Sequence, residues 1–310
     1  MIGRVANTRL LRAAIMTIAV GAVASFGSIT PASAAALLFN DFSDLTGLQL
    51  NGSTSSIHGC TGGVGSTCSA VTDLHGHNVL RLTNELSQSG SAFSTSAVSL
   101  DQNASFSSAF KFHFTDQQNT GADGIVFVLQ TVSNTAGGGG GGIGYSGLTN
   151  SVGIEFDNWF NSGIDPSSNH VGIDVNGDVD SVVTSNSIAA LDSGDTFTAW
   201  VDYDGVNDVL EVRANTTGVR PATALLTYGI DLVQVLGQTD AFVGFTSGTG
   251  AAGADHDVLS WQFNSSFNPI EDIGDGTDVP EPAGFLVVCT ALLGLGLMTW
   301  KRGRAGSQRC

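Results

Sequence analysis

Hydrophobic residues recur at every second position along much of this chain. Phe110, Phe112 and Phe114 alternate with Lys111 and His113, and Phe197, Ala199, Val201 and Tyr203 alternate with Thr198, Trp200 and Asp202. Successive side chains of an extended strand point to opposite faces, so each run lines a buried face with one set and turns the other toward solvent. A helix would need apolar spacings of three and four, and no long run of that kind occurs between residues 35 and 278. Clusters of Gly, Asn, Asp and Ser separate the runs at intervals typical of sandwiches. The pattern predicts an all-β domain of two antiparallel sheets, without internal repeats.

Both ends read as targeting segments. Arg4, Arg9 and Arg12 form a basic region, residues 13–29 are apolar, and Ala32-Ser33-Ala34 is a small-residue cleavage site. Residues 1–34 are therefore expected to be a signal peptide. At the other end Val279-Pro280-Glu281-Pro282 precedes 18 uncharged residues, 283–300, and then Lys301-Arg302-Gly303-Arg304. Such a length just spans a bilayer, and the basic cluster keeps residues 305–310 cytoplasmic. Residues 279–304 resemble the PEP-CTERM sorting signal of Gram-negative bacteria. The resemblance implies an exosortase-type processing protease, transient anchoring in the inner membrane through this tail alone, and delivery to the outer surface or extracellular matrix. A permanent single-span anchor is the alternative. Residues 266–278 read as an acidic linker.

The 244 residues from 35 to 278 fit one large all-β domain. Its only basic residues are Arg81, Lys111, Arg213 and Arg220, against 27 acidic ones, a net charge of −23. Such a surface repels nucleic acid and anionic lipid, and suits divalent cations and neutral ligands such as sugars. Cys60 and Cys68 form a close pair in an exported domain, which predicts one disulfide.

The chemistry concentrates in residues 155–170. Glu155, Asp157, Asn161, Asp165 and His170 fall within sixteen positions. Four offer hard oxygen, which suits calcium, and the imidazole adds a preference for a transition metal. The set predicts a two-metal site bridged by Asp157 and Asp165.

Three stretches carry a resemblance. Val152-Gly153-Ile154-Glu155-Phe156-Asp157, then Trp159, Asn161, Asp165-Pro166 and His170-Val171-Gly172-Ile173-Asp174-Val175-Asn176, resemble the metal-binding strand and loop of the legume-type (L-type) lectins. Ala122-Asp123-Gly124-Ile125-Val126-Phe127-Val128-Leu129 is similar to the family's Ala-Asp-Gly strand, and His256-Asp257-Val258-Leu259-Ser260-Trp261-Gln262-Phe263 to its closing strand. The resemblance implies a lectin domain over 35–265 with the concanavalin A-like jelly-roll sandwich. It implies Ca2+ on Asp157, the Trp159 carbonyl, Asn161 and Asp165, and Mn2+ or a similar ion on Glu155, Asp157, Asp165 and His170. Asp180 or Ser181 would hold a metal-bound water. The metals would orient Asn161 and brace Asp123, which follows a cis peptide in the family and accepts from two sugar hydroxyls. Trp159 would offer its ring face, Gly141 or Gly142 a backbone N–H, and residues 247–255 the last binding loop. Legume lectins often dimerise through their back sheets, but that varies within the family, and a homodimer stands here only as one expected partner.

Several other motifs have simpler explanations. Gly142-Ile143-Gly144-Tyr145-Ser146-Gly147 matches a dinucleotide fingerprint, but a strand-like run follows where a helix is required. Asp174-Val175-Asn176-Gly177-Asp178-Val179-Asp180 and Asp202-Tyr203-Asp204-Gly205-Val206-Asn207-Asp208 look like calcium loops but lack the closing glutamate, and tight turns explain them more simply. His58, His75, His77, His113 and His256 have no ligand spacing. A laminarinase-like glucanase needs Glu-x-Asp-x-x-Glu, and this chain has Phe160 where the second glutamate belongs. The expectation is an exported, calcium-dependent carbohydrate-binding protein without enzymatic activity, meeting glycans or exopolysaccharide. The alternative is a structural matrix protein that keeps the metals but not the sugar site.

Overall fold

A computed structural model describes residues 36–61, 67–136 and 142–273. The expected signal peptide, the sorting tail at 279–304, residues 305–310, the linker beyond 273 and Gly141 lie outside the described residues. The strands are β1 (Ala36–Phe39), β2 (Leu48–Asn51), β3 (Val71–Thr72), β4 (Asn78–Thr83), β5 (Ser89–Ser94), β6 (Val98–Ser99), β7 (Phe106–Gln118) and β8 (Gly124–Gln130). Then come β9 (Ser151–Asp157), β10 (His170–Val175), β11 (Asp178–Ser185), β12 (Phe197–Asp204), β13 (Val209–Asn215), β14 (Leu226–Gly229), β15 (Asp240–Gly248) and β16 (Gly253–Asn264). Two short helices, α1 (Gly52–Ile57) and α2 (Leu232–Leu236), join them.

One sheet runs β14-β13-β12-β7-β16-β4-β3 with β1 added along β16. The other runs β11-β10-β9-β8-β15-β5-β2 with β6 added along β15. The pairings within both are antiparallel. This is the jelly-roll sandwich expected from the sequence. The inward set of β7 fills the space between the sheets: Phe110 meets Phe156 edge-on at 5.8 Å and Phe245 at 5.0 Å, and Phe112 lies 4.8 Å from Phe156. Each such aromatic pair adds about 0.5–1.5 kcal/mol beyond its buried area.

The outward set departs from expectation. Thr198, Trp200 and Asp202 alternate with core residues, yet all three are buried, as is His113. Ile270 and Ile273 pack on Trp200 and Ala109, so the first part of the expected linker lies against the sheet. Asp202 is buried in an ion pair with Arg220, and buried His113 lies 3.3 Å from Asp257. Period two tells which residues share a face; it does not tell whether that face is covered.

The turn readings hold. Asn176 and Gly177 both have positive φ (58° and 75°), as a two-residue hairpin turn requires. The Asp204 carboxylate accepts from the backbone of Val206 and Asn207. Cys60 and Cys68 form the disulfide. Register then sets the site: Asp157 pairs with Gly124 on one side and His170 on the other, and Glu155 pairs with Val126 and Gly172.

Candidate functional site

Glu155 and Asp157 are two residues apart on β9, so they share the face opposite Ile154 and Phe156, which belong to the core. His170 stands beside Asp157 on β10. One ligand atom from each of Glu155, Asp157 and His170 lies within 4.8 Å of the others, and all three residues are buried. His170 Nδ1 is 3.1 Å from the Ser167 carbonyl, which can only accept, so Nδ1 carries the proton. Nε2 lies 3.0 Å from Glu155 Oε1. Two electron-rich atoms at that distance repel unless a cation or a proton sits between them.

Gly172 lies between His170 and Asp174 on the same face of β10. A Cβ there would fall 2.0 Å from Ser181 Oγ and 2.6 Å from Glu155 Oε1, so only glycine leaves this space open. Ser181 Oγ uses it, lying 2.7 Å from Glu155 Oε1 and 2.6 Å from Asp174 Oδ1. Asp180, the other candidate for a water ligand, is exposed.

The electrostatics are lopsided. Burial, with the nearby charges of Glu155, Asp165 and Asp123, pushes the Asp157 carboxyl up to about 9. Burial and the Glu155 charge raise Asp174 well above the usual range, and burial raises Asp165. Among the described residues, Arg81, Arg213 and Arg220 make their ion pairs with acids of the other sheet. A divalent cation would supply the missing positive charge, and a set of carboxylates with one imidazole is a chemically suitable donor set.

The loop after β9 carries the other expected ligands. Trp159 N–H donates to Asp157 Oδ1 at 2.6 Å. Asn161 N–H bonds to Asp165 Oδ2, and Asp165 N–H returns to the Asn161 carbonyl at 3.0 Å. The loop therefore closes on itself as an Asn161–Asp165 turn beside the compact Glu155, Asp157 and His170 cluster.

Asp123 follows a cis peptide bond from Ala122, as the family resemblance implied. Its N–H donates to the Gly248 carbonyl and its carbonyl accepts from Asn158 N–H, each at 3.1 Å. That backbone ties β15 to the loop after β9. Asp123 is 6% exposed, and its Oδ2 has no hydrogen-bond partner. Burial, then the Asp165 charge, raises its carboxyl to about 6. The Gly142 carbonyl accepts from Tyr145 and Ser146 N–H. Ile143 and Gly144 of that turn press against Gly248. Trp159 is partly exposed, and Phe160 is exposed.

Two points differ from the sequence reading. The expected binding loop at 247–255 contracts to residues 249–252, because Ser247 and Gly248 finish β15 and residues 253–255 begin β16. Three participants were also missed: Asp174, read as part of a turn, and Gly172 and Asn158. The alternation His170, Gly172, Asp174 was a usable signal, since it puts Asp174 on the ligand face.

The Legume lectin domain family matches residues 66–278. The lectin of Leucomphalos mildbraedii is 30% identical over 193 residues, covering 57% of this chain and 77% of that one. An L-type lectin-domain containing receptor kinase, VIII.1 of Arabidopsis thaliana, is 34% identical over 191 residues, 59% of this chain. The match spans only 26% of that kinase's own length. Among solved structures, peanut lectin with a nine-residue peptide is 28% identical with a TM-score of 0.56, covering 76% of this chain and 98% of that one. Basic winged bean lectin with Tn-antigen is 26% identical with a TM-score of 0.58, covering 75% and 98%.

Proposed function

Because this chain belongs to the legume lectin domain family, whose matched members include lectins as well as lectin-domain receptor kinases, we propose that it binds glycans in a calcium-dependent manner. The observation that carries this reading is the buried Glu155, Asp157 and His170 cluster, in which the carboxylates outnumber the one imidazole, beside Asp123 with its unpartnered Oδ2. A calcium ion on Asp157, the Trp159 carbonyl, Asn161 and Asp165, and a transition metal on Glu155, Asp157, Asp165 and His170, would supply positive charge and fixed coordination.

This chain's residues do the recognition. Asp123 accepts hydrogen bonds from sugar hydroxyls, and ionised acceptors make the stronger bonds. Asn161 offers its amide once released from Asp165. Trp159 offers an aromatic face to the apolar side of a pyranose. Gly142, or Gly141 before it, brings a backbone N–H within reach because glycine has no Cβ. The ends of the sequence support export and delivery to a bacterial outer surface or matrix through an exosortase-type protease, which mass spectrometry of the mature termini checks.

A glycan array probed with the purified protein in Ca2+ and Mn2+, and again in EDTA, tests the reading. Metal-dependent binding that Asp123→Ala abolishes is expected. A folded, metal-loaded protein that binds no glycan would overturn it and favour a structural matrix role.

A further inference from the structure

The chain does not leave the domain directly after β16. Asn268 N–H donates to Ser107 Oγ at 3.1 Å, and Ile270 and Ile273 join Ala109 and Trp200 in one buried cluster. Ser107 and Ala109 are alternate residues of β7, on its face away from the core. Residues 268–273 therefore run along that strand toward its next outward residue, Lys111. Successive outward positions lie about 7 Å apart, and two extended residues cover about that distance. A cleft of about 610 Å³ opens at this point. Register sets Lys111 of β7 beside Ser260 of β16, and both line the cleft, with Thr196, His77 and Asn78 around them. Asp41 is the one acid among its described lining residues, and it already accepts from Ser43 Oγ at 2.6 Å and from the Asn78 amide at 3.3 Å.

We propose that this cleft is the docking site of the chain's own residues 274–282, with their carboxylates turned toward Lys111. The path of residues 268–273 delivers them. Ile273 is seated at the level of Ala109, and Asp275, the first acid after it, follows two residues on. The charges agree: Lys111 is the only lysine between residues 35 and 278, and the segment carries Asp275, Asp278 and Glu281 with no base. Surface ion pairs are individually weak, so the buried Ile270 and Ile273 supply the hold and Lys111 selects what lies beyond them. Docking keeps Val279-Pro280-Glu281-Pro282 against the folded domain. The cleft is on the sheet that contains β7, whereas Glu155, Asp157 and His170 are on the other sheet. The chain therefore departs from the face opposite that cluster, and the docking is independent of the lectin reading.

A carbodiimide, which joins an amine directly to a carboxylate in contact with it, tests this on the full chain, with the products mapped by mass spectrometry. The expected product is an isopeptide bond from Lys111 to Asp275, Asp278 or Glu281 of the same chain. Limited proteolysis gives a second readout. An endopeptidase that cuts before aspartate should cleave at Asp275 and Asp278 about three-fold faster in Lys111→Glu than in the parent, and about ten-fold faster in Ile273→Ser, because cleavage tracks the undocked fraction. Cleavage within residues 36–264 should stay at the parental rate in both variants. Three results would each overturn the proposal: Lys111 joined only to acids outside 274–282 or to none, Lys111 joined to a second copy of the chain, or cleavage at Asp275 and Asp278 that neither variant accelerates.

Discussion

The two sheets each bury a group of carboxylates and balance them differently. On the sheet containing β4, β7 and β16, Arg81 lies between Asp255, 2.8 Å from Nη1, and Asp257, 2.7 Å from Nη2. His113 Nε2 adds a contact to Asp257 at 3.3 Å. Asp73, beside it, accepts backbone N–H bonds from His75 and His77 at 2.8 and 2.9 Å. Burial still raises Asp255, to about 6, against the pull of Arg81. On the other sheet, Glu155, Asp157 and Asp174 have Asp123 and Asp165 as neighbours and His170 as their nearest nitrogen base. One group carries arginine counter-charge of its own. The other has a single imidazole among several carboxylates, and the cation site proposed above rests on that imbalance.

Variants of Arg81 should break the comparison hardest. Arg81→Met strands Asp255 and Asp257 and should cost about 3–5 kcal/mol. Denaturant melts should show that loss undiminished by added calcium. Glu155→Gln is the counterpart: it should leave the metal-free protein as stable as the parent or more so, while abolishing the gain from metal.

Metal removal comes next. Cations at about a thousand times their Kd should stabilise the fold by about 4 kcal/mol. Calorimetric scans with and without EDTA should differ accordingly in the parent and in Lys111→Ala, but not in Glu155→Gln.

Gly172→Ala sharpens the picture of the site. The added methyl collides with Ser181 Oγ and Glu155 Oε1, for about 1–3 kcal/mol of overpacking. Metal titration should show affinity falling together with stability.

The remaining effect is a slope with pH. Asp157 has its carboxyl raised to about 9 in the metal-free fold, above its usual 3.8. Its contribution to stability is therefore present below pH about 4 and lost as pH rises toward 9. Metal-free protein should melt higher at pH 5 than at pH 8. Metal-loaded protein should show the reverse, because protons compete with the cation.

The sandwich was legible because the Phe110, Phe112 and Phe114 set has no other way to share a face. The ligand set was legible because its members crowd one strand and one loop. What covers Trp200 was not, since it depends on Ile270 and Ile273 returning across the sheet from 70 residues away. Asp174 was hidden by the Asn176-Gly177 turn that follows it, which drew the whole stretch into a turn reading. The Asn158 tie to Asp123 could not be recognised before the register of β8 on β9 was known.

Isothermal titration of metal-stripped protein with Ca2+ and Mn2+, followed by glycan, tests the central claim most directly. The expected result is saturable metal binding, lost in Glu155→Gln, that must precede any glycan heat. Glycan binding of equal strength before and after metal removal would contradict it.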